Sequence, residues 1–256
     1  MNYQIFNHAW QCYPSECCGL VINGKYHPCT NAHHDPKNHF EISADEYLTL
    51  ESLGEITAIV HSHPDGEPLP SEFDRVQMGL HGVDWWIVGL GFSPTGQKYQ
   101  AIQKHKPTAY QSPLIGRDYI HGVQDCYTLV RDYYARELAI DLPDFERADG
   151  WWEDENHEPL YQANFAKAGF VEAQTLQKHD VILCRVGRTQ HINHALIYLG
   201  DGKLTSENAS EIIGDNIILH HPHSRLSVRE IYGENWQRRT AMVVRHTAHI
   251  TAQSLQ

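Results

Sequence analysis

The sequence predicts two domains in series, a mixed α/β domain followed by an α+β domain. Three observations predict this. Two apolar, β-rich segments, residues 56–60 and 85–90, flank a helical stretch in the first half. An aperiodic stretch with two prolines, Pro107 and Pro113, separates the halves. The second half opens with a helical pattern and continues with four short apolar segments, and that order reads as α+β.

The elements follow in chain order. Residues 56–60 (ITAIV) and 85–90 (WWIVGL) read as buried strands, and residues 71–80 between them read as a helix with Ser71 as its N-cap. The first domain is expected over residues 1–105, a linker over 106–116 and the second domain over 117–256. A helix is predicted from Cys126 to about Ile140, because Leu129, Val130, Tyr133, Tyr134 and Leu138 recur at helical spacing and Pro143 follows. Strands are predicted at 181–186, 194–199, 217–220 and 241–245.

Composition excludes some functions. A hydrophobic content of 41% in 256 residues supports real cores, not global disorder. Twenty Lys+Arg against 32 Asp+Glu give a net charge of −12, so no nucleic-acid partner is expected. No apolar run is long enough to enter a bilayer as a helix. The first residues, MNYQIFNH, lack the basic and apolar regions of a signal peptide. Cys12, Cys17, Cys18 and Cys29 fit no zinc spacing and read as structural thiols, and Cys184 reads as core. Of the 19 histidines, most have no special role, including His33, His34, His39 and an exposed His223.

Two constellations carry chemistry. In the first half, His61-Ser62-His63-Pro64 is followed six residues later by Ser71-Glu72-Phe73-Asp74. Side chains two apart on a strand share a face, so His61 and His63 can reach one ion. Asp74 falls in the first turn of the following helix. Two histidines and one carboxylate leave a fourth position open, as in catalytic zinc sites, where Zn2+ activates water. By itself Ser71-x-x-Asp74 is also an ordinary capping box. Glu16, in Pro14-Ser15-Glu16-Cys17-Cys18-Gly19-Leu20, is the candidate base. In the second half, Asp125 caps the helix and Cys126 takes its first position, where the helix dipole favours a thiolate nucleophile. A distant histidine should act as base. His194 begins an apolar strand with Leu196 and Tyr198 on its face, and His220 and His221 end the next one.

These motifs resemble two families. Glu16, His61, His63, Ser71 and Asp74, over about residues 1–100, resemble the JAMM (JAB/MPN) metallopeptidases. That resemblance implies a mixed α/β fold, zinc held by His61, His63 and Asp74, Glu16 as activator of water, and Ser71 at the oxyanion. Asp125-Cys126, Gly169-Phe170, Asp180-Val181-Ile182-Leu183 and Asn193-His194-Ala195-Leu196-Ile197-Tyr198-Leu199-Gly200 resemble the NlpC-type cell-wall cysteine peptidases. This second resemblance runs from about Gly116 to the end and implies a papain-like core acting on peptidoglycan peptide stems. It makes Cys126 the nucleophile, His194 the base and His220 the orienting third member, with His221 its rival. It places Tyr119 where the family has an aromatic near the oxyanion. Residues 201–214 depart from the family spacing and read as a loop inserted between two strands.

The two families in this order resemble the tail-tip proteins of lambda-like phages. That implies a bifunctional peptidase with tail tip proteins as partners, present in the host cytoplasm during assembly and in the virion tail tip. The absence of a signal peptide fits carriage by a particle. The alternative is a tail-assembly structural protein with one or both sites inactive. An intracellular isopeptidase acting on ubiquitin-like tags is the third reading.

Overall fold

The computed structural model describes residues 1–212 and 214–249. It divides into two compact units, Met1–Gln111 and Ser112–Gln256, so the division falls inside the proline-bearing stretch. The first unit runs α1 (Asn2–Cys12), β1 (Cys18–Ile22), β2 (Lys25–Cys29), α2 (Ala44–Glu51), β3 (Ile56–Pro64), α3 (Glu72–His81), β4 (Asp84–Phe92) and β5 (Lys98–His105). Its five strands are ordered β2-β1-β3-β4-β5, antiparallel except for the β3–β4 pair. Apolar residues cover both faces of this sheet. Val21, Ala58, Val60, Trp86 and Val88 meet Ile5 and Ala9 of α1 on one face. On the other face, Leu20, Ile22, Ile59 and Trp85 meet Met78 of α3 and the partly buried Tyr47 and Leu50 of α2. The central strands are therefore apolar throughout, the pattern of a sheet covered on both faces.

The β3 strand runs past its expected end at residue 60, because its parallel pairing with β4 continues through His61↔Ile87 and His63↔Gly89 to Pro64↔Leu90. Gly89 is needed there. A Cβ at that position would come within 2.7 Å of the Gly66 carbonyl oxygen and the Pro68 nitrogen, so only glycine lets the loop after β3 cross β4.

The second unit contains α4 (Cys126–Leu138), α5 (Leu160–Asn164), β6 (Phe170–Glu172), β7 (Val181–Cys184), β8 (His194–Gly200), β9 (Ile217–His220), β10 (Val228–Ile231), α6 (Glu234–Arg239) and β11 (Thr240–His246). Its strands form an antiparallel sheet ordered β10-β9-β8-β7-β11-β6. Leu129, Val130, Tyr133 and Tyr134 of α4 pack on Val181, Leu183, Ala195, Ile197 and Leu219. Ile182, Cys184, Leu196, Ile218 and Tyr232 form a smaller core on the opposite face, with Trp236 of α6 against it. The β7 strand stops at Cys184, short of the predicted residue 186. The Asn193 side chain takes over there, accepting the Val186 N–H at 2.8 Å and donating to the Val186 carbonyl at 3.0 Å. Strands β8 and β9 pair directly, and the described residues of the segment 201–214 between them form a loop. Among the described residues, no helix is long and apolar enough to cross a membrane.

Two candidate catalytic sites

The first site lies where β3 meets the start of α3. Strand alternation puts the His61 and His63 rings on one face, and their Nε2 atoms stand 2.9 Å apart. His61 Nε2 is 3.2 Å from Asp74 Oδ1, and His63 Nε2 is 3.3 Å from Asp74 Oδ2. Three side chains of types that can ligate a metal thus converge on one point. Bonds of about 2.0–2.1 Å in a tetrahedral zinc site place neighbouring donors about 3.3 Å apart, so the residues present fit a zinc ion.

Surrounding groups fix each donor. His63 Nδ1 lies 3.1 Å from the Glu67 carbonyl, which takes that proton and turns Nε2 inward. Phe40 stacks on His61 at 4.8 Å, and Trp85 meets it edge-on at 5.3 Å. Ser71 and Asp74 form a complete capping box: Ser71 Oγ accepts the Asp74 N–H at 3.1 Å, and Asp74 Oδ2 accepts the Ser71 N–H at 2.8 Å. The Ser71 hydroxyl also donates to Asp74 Oδ2 at 2.8 Å. The helix cap and the ligand clamp are therefore the same two residues.

Burial alone would raise the Asp74 carboxyl, but the two imidazoles outweigh it and hold Asp74 far below the usual carboxylate range. Burial lowers His61. Glu16 lies between α1 and β1, buried, and outside the group of three converging donors. Burial, with the Asp74 and Asp35 charges, pushes its carboxyl up to about 8 against the opposing pull of His63. A carboxyl raised into the neutral range can take and return a proton there. Two contacts not evident in the sequence hold this segment. Ser62 Oγ accepts the Cys17 N–H at 2.8 Å, and the Asn31 amide donates to the Glu16 carbonyl at 3.0 Å.

The second site is a cavity of about 390 Å³ lined by Cys126, His194, His221 and a largely aromatic wall that includes Tyr119, Trp152, Tyr161 and Trp236. Asp125 caps α4 by accepting the Tyr127 and Thr128 N–H groups at 3.0 Å, and it also takes the Gly122 N–H at 3.0 Å. Arg147 pairs with both of its oxygens, at 2.6 and 3.0 Å, with both side chains nearly buried. This fixes the turn that presents Cys126. The Tyr161 hydroxyl lies 3.3 Å from the thiol sulfur, and the Ala195 backbone N–H faces the sulfur as well.

The expectation of a resting thiolate needs correction. Burial first, and the neighbouring Asp125 charge second, push the Cys126 thiol up to about 11. Tyr161, the Ala195 N–H and Arg147 pull it down without reversing that. The thiol therefore needs a base at neutral pH.

His194 is the candidate for that base, and the sheet sets its place. The register pairs Leu196 with His220, so His194, two residues from Leu196, lies on the same face and diagonal to His220. His194 Nε2 and His220 Nδ1 are 3.0 Å apart. His194 and Cys126 line the same cavity. Burial and the neighbouring histidines hold His194 well below its usual value. His220, the expected third member, thus contacts His194. His221 turns instead to Tyr119, edge-on at 5.1 Å. Tyr119 lines the cavity, and its hydroxyl engages His121 Nδ1 at 3.1 Å. Beyond His220, Glu230 Oε1 lies 2.8 Å from His220 Nε2 and accepts the Trp236 indole N–H at 2.6 Å. Trp236 meets His220 edge-on at 4.8 Å and leans on His194 at 5.6 Å.

A β3-borne His-x-His beside an Asp in a helix capping box, followed by a helix-borne Cys that shares a cavity with a His paired to a second His, defines a class: chains that join a JAB-type domain to an NlpC/P60-type domain. Comparison with known families agrees. Residues 1–102 match the family of prokaryotic homologs of the JAB domain, and residues 116–245 match the NlpC/P60 family. Among individual proteins, the tail tip assembly protein K of Escherichia phage N15 is 33% identical over 247 residues, covering 94% of this chain and 92% of that one. The tail tip assembly protein K of Escherichia phage lambda is 40% identical over 209 residues, covering 81% and 90%. The chain belongs to the tail tip assembly protein K family. A shorter similarity, 28% over 96 residues, covers 33% of this chain and 66% of a desampylase from Haloferax volcanii.

Proposed function

We propose that the protein is a bifunctional peptidase of a phage tail. The second unit hydrolyses peptide bonds in peptidoglycan stems. The first hydrolyses a peptide or isopeptide bond during tail assembly or cell-wall penetration. The observation that carries this reading is that His61, His63 and Asp74 converge in the first unit and that Cys126 and His194 line one cavity in the second, in a chain whose relatives are tail tip assembly proteins.

In the second unit, His194 Nδ1 takes the thiol proton and the Cys126 sulfur attacks the scissile carbonyl. The protonated His194 then gives its proton to the leaving amine, and an acyl-enzyme remains. Water, deprotonated by His194, releases the acid. The aromatic walls exclude water from the sulfur during attack.

In the first unit, His61, His63 and Asp74 would hold zinc, which supplies Lewis acidity and an acidified water. Glu16 takes a proton from the attacking water and passes it to the leaving nitrogen. Ser71 keeps the Asp74 carboxylate aimed at the site through its N–H and its hydroxyl, which both donate to Oδ2.

Native mass spectrometry tests the metal centre. The wild-type chain should carry one zinc and His63→Ala none. An equal zinc content in both would end the reading for the first unit. For the second unit, purified sacculi incubated with the protein should release stem peptides with new amine termini. No release from any sacculus type would favour a structural role in the tail.

A further inference from the structure

Three strands place three side chains in a diagonal row. Leu196 pairs with His220, and His220 pairs with Val228, so His194 on β8, His220 on β9 and Glu230 on β10 share one face of the sheet. The contacts along the row are His194 Nε2 to His220 Nδ1 at 3.0 Å and His220 Nε2 to Glu230 Oε1 at 2.8 Å. The last is an ion-pair contact, and the Trp236 indole N–H holds the same oxygen.

An imidazole has one N–H when neutral, and which nitrogen carries it depends on the partner of the other. A carboxylate can only accept. Opposite His220 Nε2 it therefore selects the tautomer with the proton on Nε2, leaving a lone pair on Nδ1. That lone pair can only accept from His194 Nε2, which forces the His194 proton onto Nε2. His194 Nδ1 is then bare, the state a base must have to take the thiol proton. With the acceptor removed, His220 is free to carry its proton on Nδ1. His194 would then present a lone pair at Nε2 and a proton at Nδ1, facing the thiol with a donor instead of a base.

We propose that Glu230 is a positioning residue that sets the tautomers of His220 and His194, and so makes His194 a base toward Cys126. This rests on the cysteine-peptidase reading of the second unit. In the sequence, Glu230 sits in a short exposed segment, Val228–Ile231, with no motif around it. The other charged and titratable groups facing the pair are Asp125 ahead of α4, His221 after β9 and Arg239 at the end of α6. None of these is an acceptor placed at His220 Nε2.

The test needs no substrate. In the full chain, the rate of Cys126 alkylation by iodoacetamide is followed against pH for wild type, His194→Ala, Glu230→Leu and Glu230→Gln. In wild type the rate should already be substantial at neutral pH, and His194→Ala should lose that limb. Glu230→Leu should slow alkylation at neutral pH by roughly tenfold and move the profile to higher pH, because the base is then partly in the wrong tautomer. Glu230→Gln keeps an acceptor oxygen and should recover much of the loss. A wild-type rate that rises only near the pH of an unassisted buried thiol would sink the peptidase reading itself. A reactive wild type that depends on His194, with Glu230→Leu unchanged, would overturn the Glu230 proposal alone. Nitrogen-15 spectra of the wild-type histidines keep the test open if a variant does not fold. His220 should carry its proton on Nε2, and a proton on Nδ1 would overturn the proposal.

Discussion

At the scale of single residues, what could be read in the sequence and what could not follow from different physics. His61, His63, Asp74, Cys126 and His194 were legible because each stands in a short pattern whose spacing already implies geometry: alternation on a strand, the first turn of a helix, the start of a helix. Tyr161, Arg147, Trp236 and Glu230 stand in no such pattern. Their contacts with the site arise only when distant segments pack, as with Tyr161 and Cys126, 35 positions apart in the sequence. The thiol shows the limit most clearly. Position at a helix start argued for a thiolate, but the sequence could not show how deeply the folded protein buries the sulfur or how close the Asp125 charge lies. Tyr161→Phe tests this balance. The hydroxyl makes the thiol more acidic, so its loss should raise the thiol further, and at neutral pH the thiolate fraction falls in proportion. Iodoacetamide should then alkylate Cys126 several-fold more slowly at pH 7, because each 1.36 kcal/mol lost from the thiolate is about a factor of ten in its population. An unchanged rate would mean that the hydroxyl does not act on the sulfur.

At the scale of elements, the strongly apolar strands were evident and the amphipathic surface elements were not. The sequence showed β3, β4, β8 and β9 because they are apolar over most of their length. It did not single out α1, whose only fully buried residues are Ile5 and Ala9, or β5, which is almost entirely exposed. The β1 strand lay within the Cys-Gly-Leu motif, where five buried residues in a row also mark a central strand. The helix α3 shows how an element and a site can be one feature. The Ser71–Asp74 capping box was readable both as an ordinary helix start and as part of a metal centre; the structure forms the complete cap and sets Asp74 beside His61 and His63. Ser71→Ala should therefore have two effects. Loss of the cap should cost about 1 kcal/mol of stability, seen as a lower unfolding midpoint. Loss of the hydroxyl that aims Asp74 should also weaken zinc retention in a competitive chelator titration. A drop in midpoint with unchanged retention would leave Ser71 with the cap role only.

At the scale of the whole molecule, each unit has its own cores and its own site. The first has a sheet covered on both faces, with His61 and His63 at the end of a central strand beside Asp74 of α3. The second has an antiparallel sheet with α4 on one face and a cavity lined by Cys126 and residues of β7, β8 and β11. The order of the two units was legible, because the motifs of each are local and the segment between them has neither periodicity nor apolar runs. The central claim is that one chain carries two chemically independent hydrolytic centres, one needing a divalent metal and the other a thiol. Mass spectrometry of muropeptides released from purified sacculi tests it most directly, with wild-type protein, chelator-treated protein and Cys126→Ala side by side. Wild-type and chelator-treated protein should produce the same new stem-peptide termini, and Cys126→Ala should produce none. Cleavage that survives Cys126→Ala, or that vanishes on chelation, would contradict the account.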